Sequence, residues 1–240
     1  MQTERDKEVV DWLARFGAAG AQHVGRRFAM TRTRAYARLG SLVAAGLLEP
    51  RRVLYQEPAL YVATASGLRW CGLERMGVQR VGAAEFVHAR EVATVAVELH
   101  LALPGWRVVS ERELRDAELD RGEPVGSAVV GELPGARQAL HRPDLLLVSR
   151  LGRRLAVEVE LSVKSRHRLV RICRGWARAR HLDGVYYLAA PAAARAVARA
   201  LAEVRAQDRV TVLGLDQPRR LAQLESEEVA GGAGTVLAAD

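Results

Sequence analysis

The run PDLLLVSRLGRRLAVEVEL, residues 143–161, decides how the second half of this chain is read. Leu145 to Val148 is a continuous apolar stretch of strand length, and Leu155 to Leu161 alternates Leu, Ala, Val, Glu, Val, Glu, Leu. Side chains along a strand alternate between faces, so Glu158 and Glu160 share one. The segment between, Ser149 to Arg154, contains Gly152 and has the length of a hairpin loop. With Ser149 opposite Leu155, Asp144 falls opposite Glu160 and beside Glu158, and three carboxylates converge at one end of the hairpin. A slip of one residue sends Asp144 to the other face. Carboxylates that close repel one another unless a cation compensates them. Alternating Glu is also what any half-exposed strand shows, and an Asp after Pro is a common turn former, so a solvated polar face is the plain alternative.

Downstream, a basic helix turns Leu169, Ile172, Cys173 and Trp176 inward and Arg171, Arg174 and Arg178 outward. Asp183-Gly184 leads into a strand, Val185 to Ala189; an Ala/Val-rich helix runs from Pro191 to about Ala206, and Val210 to Leu213 is a last strand. Strand-helix-strand units of this kind imply right-handed crossovers and partly parallel pairing. Upstream, residues 86–103 form a long helix with Val92, Val95, Ala96, Leu99, Ala102 and Leu103 on one side, and Glu91 and Glu98 at the edge of that stripe. Pro104-Gly105 stops it, and a strand from Trp106 to Val109 follows. Residues 111–135, polar, acidic and punctuated by Pro and Gly, read as a long loop or insertion. Beyond Gln217 the β pattern is lost; Leu221 to Glu227 has the pattern for a helical turn or two, and the Gly/Ala tail is expected to be disordered.

The first third has another grammar. Val9, Val10, Leu13 and Phe16 make the stripe of an amphipathic helix over residues 6–16, ended by Gly17 and Gly20. A short helix around Ala21 to Phe28 follows, then a turn at Met30-Thr31 and a third helix to about Ala45. Its apolar face is Ala35, Tyr36, Leu39, Leu42 and Val43, with Arg34, Arg38 and Ser41 opposite. Arg51 to Tyr55 and Leu60 to Ala63 flank the turn formers Gln56-Glu57-Pro58, which predicts a β-hairpin, and Ala65 to Leu73 a short helix leading out of it.

The formal charge is +8, which favours a polyanionic partner, since cations that neutralise phosphates release condensed counterions. Nearly all of it is arginine, with Lys7 and Lys164 the only lysines, in a chain rich in Ala, Gly and Val. A high-GC genome produces the same bias, so the positions of the arginines have to decide. Cys71 and Cys173 stand far apart with no second Cys or His at ligand spacing, against a disulfide framework or a zinc site. No run approaches the ~18 apolar residues of a membrane span, and no signal-peptide pattern opens the chain. A cytoplasmic protein without a membrane partner is expected.

The order helix, helix, helix, hairpin over residues 5–75 resembles the winged helix-turn-helix family. The resemblance implies a third helix in the major groove and a wing on the backbone; Arg32, Arg34 and Arg38 would contact DNA, with Arg51 and Arg52 on or near the wing. Over residues 86–215 the element order, and Pro143-Asp144 followed by Glu158-Val159-Glu160, resemble the PD-(D/E)XK nuclease superfamily. That resemblance implies Mg²⁺ or Mn²⁺ held by Asp144 and Glu158, with the Val159 carbonyl and a helical carboxylate, Glu98 or Glu91. Glu160 stands where the motif has Lys, and Lys164, four residues on, is placed to reach back. Asp144, Glu158, Glu160 and Lys164 are thus the candidate catalytic set, and Arg171, Arg174 and Arg178 further candidate DNA contacts. The domain pair, with Tyr61-Val62-Ala63-Thr64-Ala65-Ser66-Gly67, also resembles the replication-relaxation proteins of actinobacterial plasmids and integrative elements.

The fold expected is α+β: a winged helix-turn-helix over 1–76, a linker at 77–85, an α/β PD-(D/E)XK-like domain with a mixed central sheet over 86–216, and a partly disordered tail over 217–240. Three functions fit. One is a Mg²⁺-dependent endonuclease or nicking protein acting on double-stranded DNA in replication, maintenance or transfer of a mobile element. Another is a non-catalytic DNA-binding regulator or replication accessory factor whose nuclease-like domain serves DNA binding or homodimerisation. The third is a protein-protein adaptor. Glu160 leaves catalysis open.

Overall fold

Thr3 opens the first helix, α1 (Glu4–Phe16), by a reciprocal cap: its hydroxyl accepts the Asp6 N–H while the Asp6 carboxylate accepts the Thr3 N–H at 2.8 Å. The structure is a computed structural model describing residues 2–135 and 137–236, except for the side chains of Arg137 and of 228–236. The chain is mixed α and β and separates into two units: Met1–Val97 with Val109–Val125 and Asp144–Leu146, and Glu98–Val108 with Gly126–Pro143 and Leu147–Asp240. Among the described residues no helix is long and apolar enough to cross a membrane.

In the first unit α1 is followed by β1 (Ala19–Gly20), α2 (Ala21–Arg27), α3 (Arg32–Ala44), β2 (Leu48–Arg51), β3 (Leu60–Ala63) and α4 (Ala65–Cys71). The three strands form an antiparallel sheet in the order β1-β3-β2, with Leu48 opposite Ala63 and Ala19 opposite Tyr61. Val9, Val10, Leu13, Val24, Leu39 and Leu42 are buried together in its core. Burying a leucine-sized side chain stabilises by roughly 1.5–3 kcal/mol, and that fastens helices too short to persist alone. The first hairpin strand starts earlier than Arg51, because Leu48 is buried and pairs with Ala63 instead of only closing the third helix. Tyr36, expected inside, is 39% exposed and lies beneath the Arg32 guanidinium at 5.7 Å from the ring centre.

The segment read as a linker packs within this unit. Val81 is buried with Ala18, Leu60, Val62 and Phe86, and α5 (Ala83–Ala102) begins directly after Gly82. The stretch read as a loop holds α6 (Glu111–Arg121), capped reciprocally by Ser110 and Glu113. It was hidden because eight of its eleven residues are charged, which leaves almost no apolar period to detect. The same stretch supplies β5 (Ala128–Leu133), which pairs antiparallel with β6 (Arg137–His141).

The five-stranded sheet runs β10-β9-β8-β7-β4, where β4 is Arg107–Ser110, β7 Leu145–Val148, β8 Arg154–Glu160, β9 Gly184–Ala189 and β10 Val210–Gly214. In the second unit β8, β9 and β10 are parallel, joined by α7 (Arg166–Arg178) and α8 (Pro191–Val204), with Glu158 beside Tyr187 and Glu160 beside Ala189. Parallel strands need such crossovers, whereas the short β7–β8 connection permits only an antiparallel pair, so the sheet is mixed. That connection is tighter than expected: the Ser149 N–H donates to the Arg153 carbonyl at 3.0 Å, and Gly152 sits at φ +85°. Ser149 thus meets Arg153 and not Leu155, an even shift that leaves the face of each side chain unchanged. The tail region forms a longer helix than expected, α9 (Pro218–Val236), with Leu221, Ala222 and Glu225 buried. The expectation of disorder at its very end, residues 237–240, lies outside the described residues.

Candidate functional site

Glu158 and Glu160 are each 4% exposed. A half-exposed strand would have turned them to water; here they face inward on β8, and Val157 and Val159 on the other face are buried as well. An ionised carboxylate taken out of water costs several kcal/mol unless partners compensate it. Each has one. His141 Nε2, at the end of β6, stands 2.7 Å from Glu158 Oε1, the geometry of an N–H donated to a carboxylate. The Lys164 ammonium bonds Glu160 Oε2 from the segment before α7.

Around Glu158 the second unit places a set of groups that respond to its charge. The Tyr187 hydroxyl is pushed well above its ordinary range, first by burial and then by Glu158, and it accepts the Trp176 indole N–H at 3.3 Å. The Cys173 thiol is pushed up to about 12 by burial and by the same carboxylate. The His141 ring packs edge-on against Trp176 at 5.5 Å. Neither Tyr187 nor Cys173 is therefore available as an anionic nucleophile near neutral pH.

Asp144 belongs to the first unit. Its carbonyl accepts the Glu111 N–H at 3.1 Å, and its Oδ1 lies 3.4 Å from His88 Nε2 of α5. Both line a cleft of about 340 Å³ together with Phe16, Arg112, Arg115 and Asp116. The α5 residue set beside Asp144 is thus His88, while Glu91 pairs with Arg90 at 3.2 Å and, in the second unit, Glu98 pairs with Arg219 of α9 at 3.3 Å. Neither histidine was singled out by sequence reading. His141 directly precedes Arg142-Pro143-Asp144, yet its partner is seventeen residues away and only the chain's return brings them together.

Of the arginines on α3, Arg32 and Arg34 are exposed, but Arg38 is bound to Asp6 of α1. Burial pushes the Asp6 carboxyl up, and its hydrogen bonds with Thr3 together with Arg38 more than offset that, leaving it below its ordinary value. Arg51 pairs with Glu49 at 3.0 Å, whereas Arg52 is exposed. Arg171, Arg174 and Arg178 are all exposed on α7.

Among the described residues no three His, Cys, Asp or Glu side chains gather as a metal-holding group. Mg²⁺ is commonly held by one or two carboxylates with waters and substrate phosphates, so the hard oxygen donors of Glu158 and Glu160 fit it in kind. No family model matches the chain, and no curated protein matches it.

Proposed function

We propose that this chain is a DNA-binding protein of a plasmid or mobile element that engages duplex DNA through α3 and nicks or cleaves it with Mg²⁺ or Mn²⁺. The observation that carries the second clause is the pair of buried glutamates on β8 with a lysine delivered to Glu160. The cation absent from the expected strand position is supplied by Lys164, four residues downstream. The helix-helix-helix-hairpin order and the exposed Arg32 and Arg34 support the first clause.

In the second unit the resemblance assigns Glu158 and the Val159 carbonyl to the metal, which when bound would lower the pKa of a coordinated water to produce the nucleophile. Lys164 would offset phosphate charge, and Glu160 would hold its ammonium in place. His141 keeps Glu158 oriented. A second reading, a non-catalytic regulator, is favoured by one fact: both glutamates already have protein partners and need no metal to stay buried.

Purified protein incubated with supercoiled plasmid separates the two. Nicking or linearisation with Mg²⁺ or Mn²⁺, abolished by EDTA and by Glu158→Gln, is the expected result. Glu158→Gln keeps the shape and a hydrogen bond to His141 while removing the charge. No cleavage across varied DNA, together with no calorimetric metal binding, would leave the regulator.

A further inference from the structure

The charge of this chain is sorted by element. α6 has five acids against three arginines, whereas α7, RHRLVRICRGWAR, has five arginines, one histidine and no acid. A genome-wide bias toward arginine does not produce that contrast between two helices of one protein.

Leu169, Val170, Ile172, Cys173, Gly175 and Trp176 bury one face of α7, and every arginine on it is exposed. Arg166 pairs with Glu203 of α8 at 2.8 Å; among the described residues Arg168, Arg171, Arg174 and Arg178 have no ion-pair partner. Arg168–Arg171, Arg171–Arg174 and Arg174–Arg178 are like charges three or four residues apart, a spacing that destabilises a helix. Arg166 and Arg168 also stand in the first turn, where the helix dipole disfavours cations. The apolar face holds this helix in spite of its outer face, and an anionic partner would relieve the repulsion.

We propose that the outer face of α7 is a second DNA-binding surface, which grips the backbone of a duplex. It rests on the DNA-binding reading above and adds a phosphate track independent of α3. From Arg168 to Arg178 the row extends about 15 Å at 1.5 Å per residue, along which duplex DNA presents a charge every ~1.7 Å. Single strands are held on exposed aromatic platforms, and the one Phe, Tyr or Trp on α7, Trp176, is buried.

The test titrates full-length protein with a labelled duplex of scrambled sequence between about 50 and 200 mM salt. The variant Arg168→Gln, Arg171→Gln, Arg174→Gln, Arg178→Gln should bind at least tenfold more weakly at the low-salt end. Its slope of log affinity against log salt should flatten by about one for each phosphate no longer neutralised, three to four in all. Its melting temperature should hold or rise, and the matching four-fold Lys variant should keep most of the wild-type slope. A Gln variant with the wild-type slope overturns the proposal, as does a Lys variant that loses as much as the Gln one. An equal loss on single-stranded DNA, heparin or phosphatidylserine vesicles also overturns it, in favour of a general polyanion surface. Wild-type protein that binds no duplex at all fails the DNA-binding reading itself, which is a different outcome from a wild-type that binds and a variant that matches it.

Discussion

Both ring nitrogens of His23 are committed. The Gly20 N–H donates to Nδ1 at 2.9 Å, so Nδ1 accepts; the Thr94 hydroxyl donates to the Arg90 carbonyl and is left to accept from Nε2–H at 3.0 Å. The ring is therefore neutral in the folded chain. Burial first, then Arg90 and Arg26, lower its pKa to about 4 from 6.5. The folded state thus binds this proton more weakly than the unfolded one, so the contribution is complete above pH 6.5 and is lost as pH falls toward 4. At roughly 1.4 kcal/mol per pH unit, up to about 3 kcal/mol is at stake. Denaturant melts from pH 7 to pH 4 should show this slope in wild type and a shallower one in His23→Gln; equal slopes would mean His23 is not the group titrating. At this scale the sequence was half legible. Glu158 and Glu160 stood out by alternation, but His23, His88 and His141 did not, because a histidine's role is set by neighbours that its own segment does not contain.

Among the elements, α4 shows how one small residue decides a junction. A Cβ built on Gly67 would come within 2.2 Å of the Leu47 carbonyl oxygen, a backbone atom that cannot swing away. Thr64 holds the same place from the other side, its hydroxyl donating to the Gly46 carbonyl at 2.6 Å while accepting the Gly67 N–H at 3.1 Å. Gly67→Ala should therefore cost about 2–3 kcal/mol through overpacking, despite the better helix propensity of Ala. A melting temperature at or above wild type would show that α4 can move off the β2 strand's entrance. Sequence reading anticipated α4 and missed α6, whose sequence is nearly all charge; its caps, Ser110 with Glu113 and Gly122 in the left-handed region, were the available signals.

For the molecule as a whole, the arginines of α3 divide by environment. Arg38 is drawn into the ion pair with Asp6, while Arg32 and Arg34 remain exposed. Arg32→Ala with Arg34→Ala should lower the affinity for a selected DNA site by roughly 1–3 kcal/mol for each base edge left unbonded, with a smaller effect on scrambled duplex. The readout is the ratio of the two affinities at fixed salt. An unchanged ratio would remove α3 as the reader and leave only the basic surface of α7. Arg38→Ala, by contrast, should appear in thermal stability, since it strips Asp6 of a part-buried cation.

The sequence alone determined the periods: 3.6-residue stripes for α1, α3 and α7, alternation for β8, and glycines at turns, since these follow from local geometry and burial of one face. It also determined that Glu158 and Glu160 share a face. Only the tertiary structure decided that this face is interior, that His141 and Lys164 compensate it, and that Arg38 is bound to Asp6 while Arg34 stays exposed. The reason is physical: a side chain's direction is set by its own few backbone angles, whereas its solvation and its partner's charge depend on segments that reach it only when the chain has folded back.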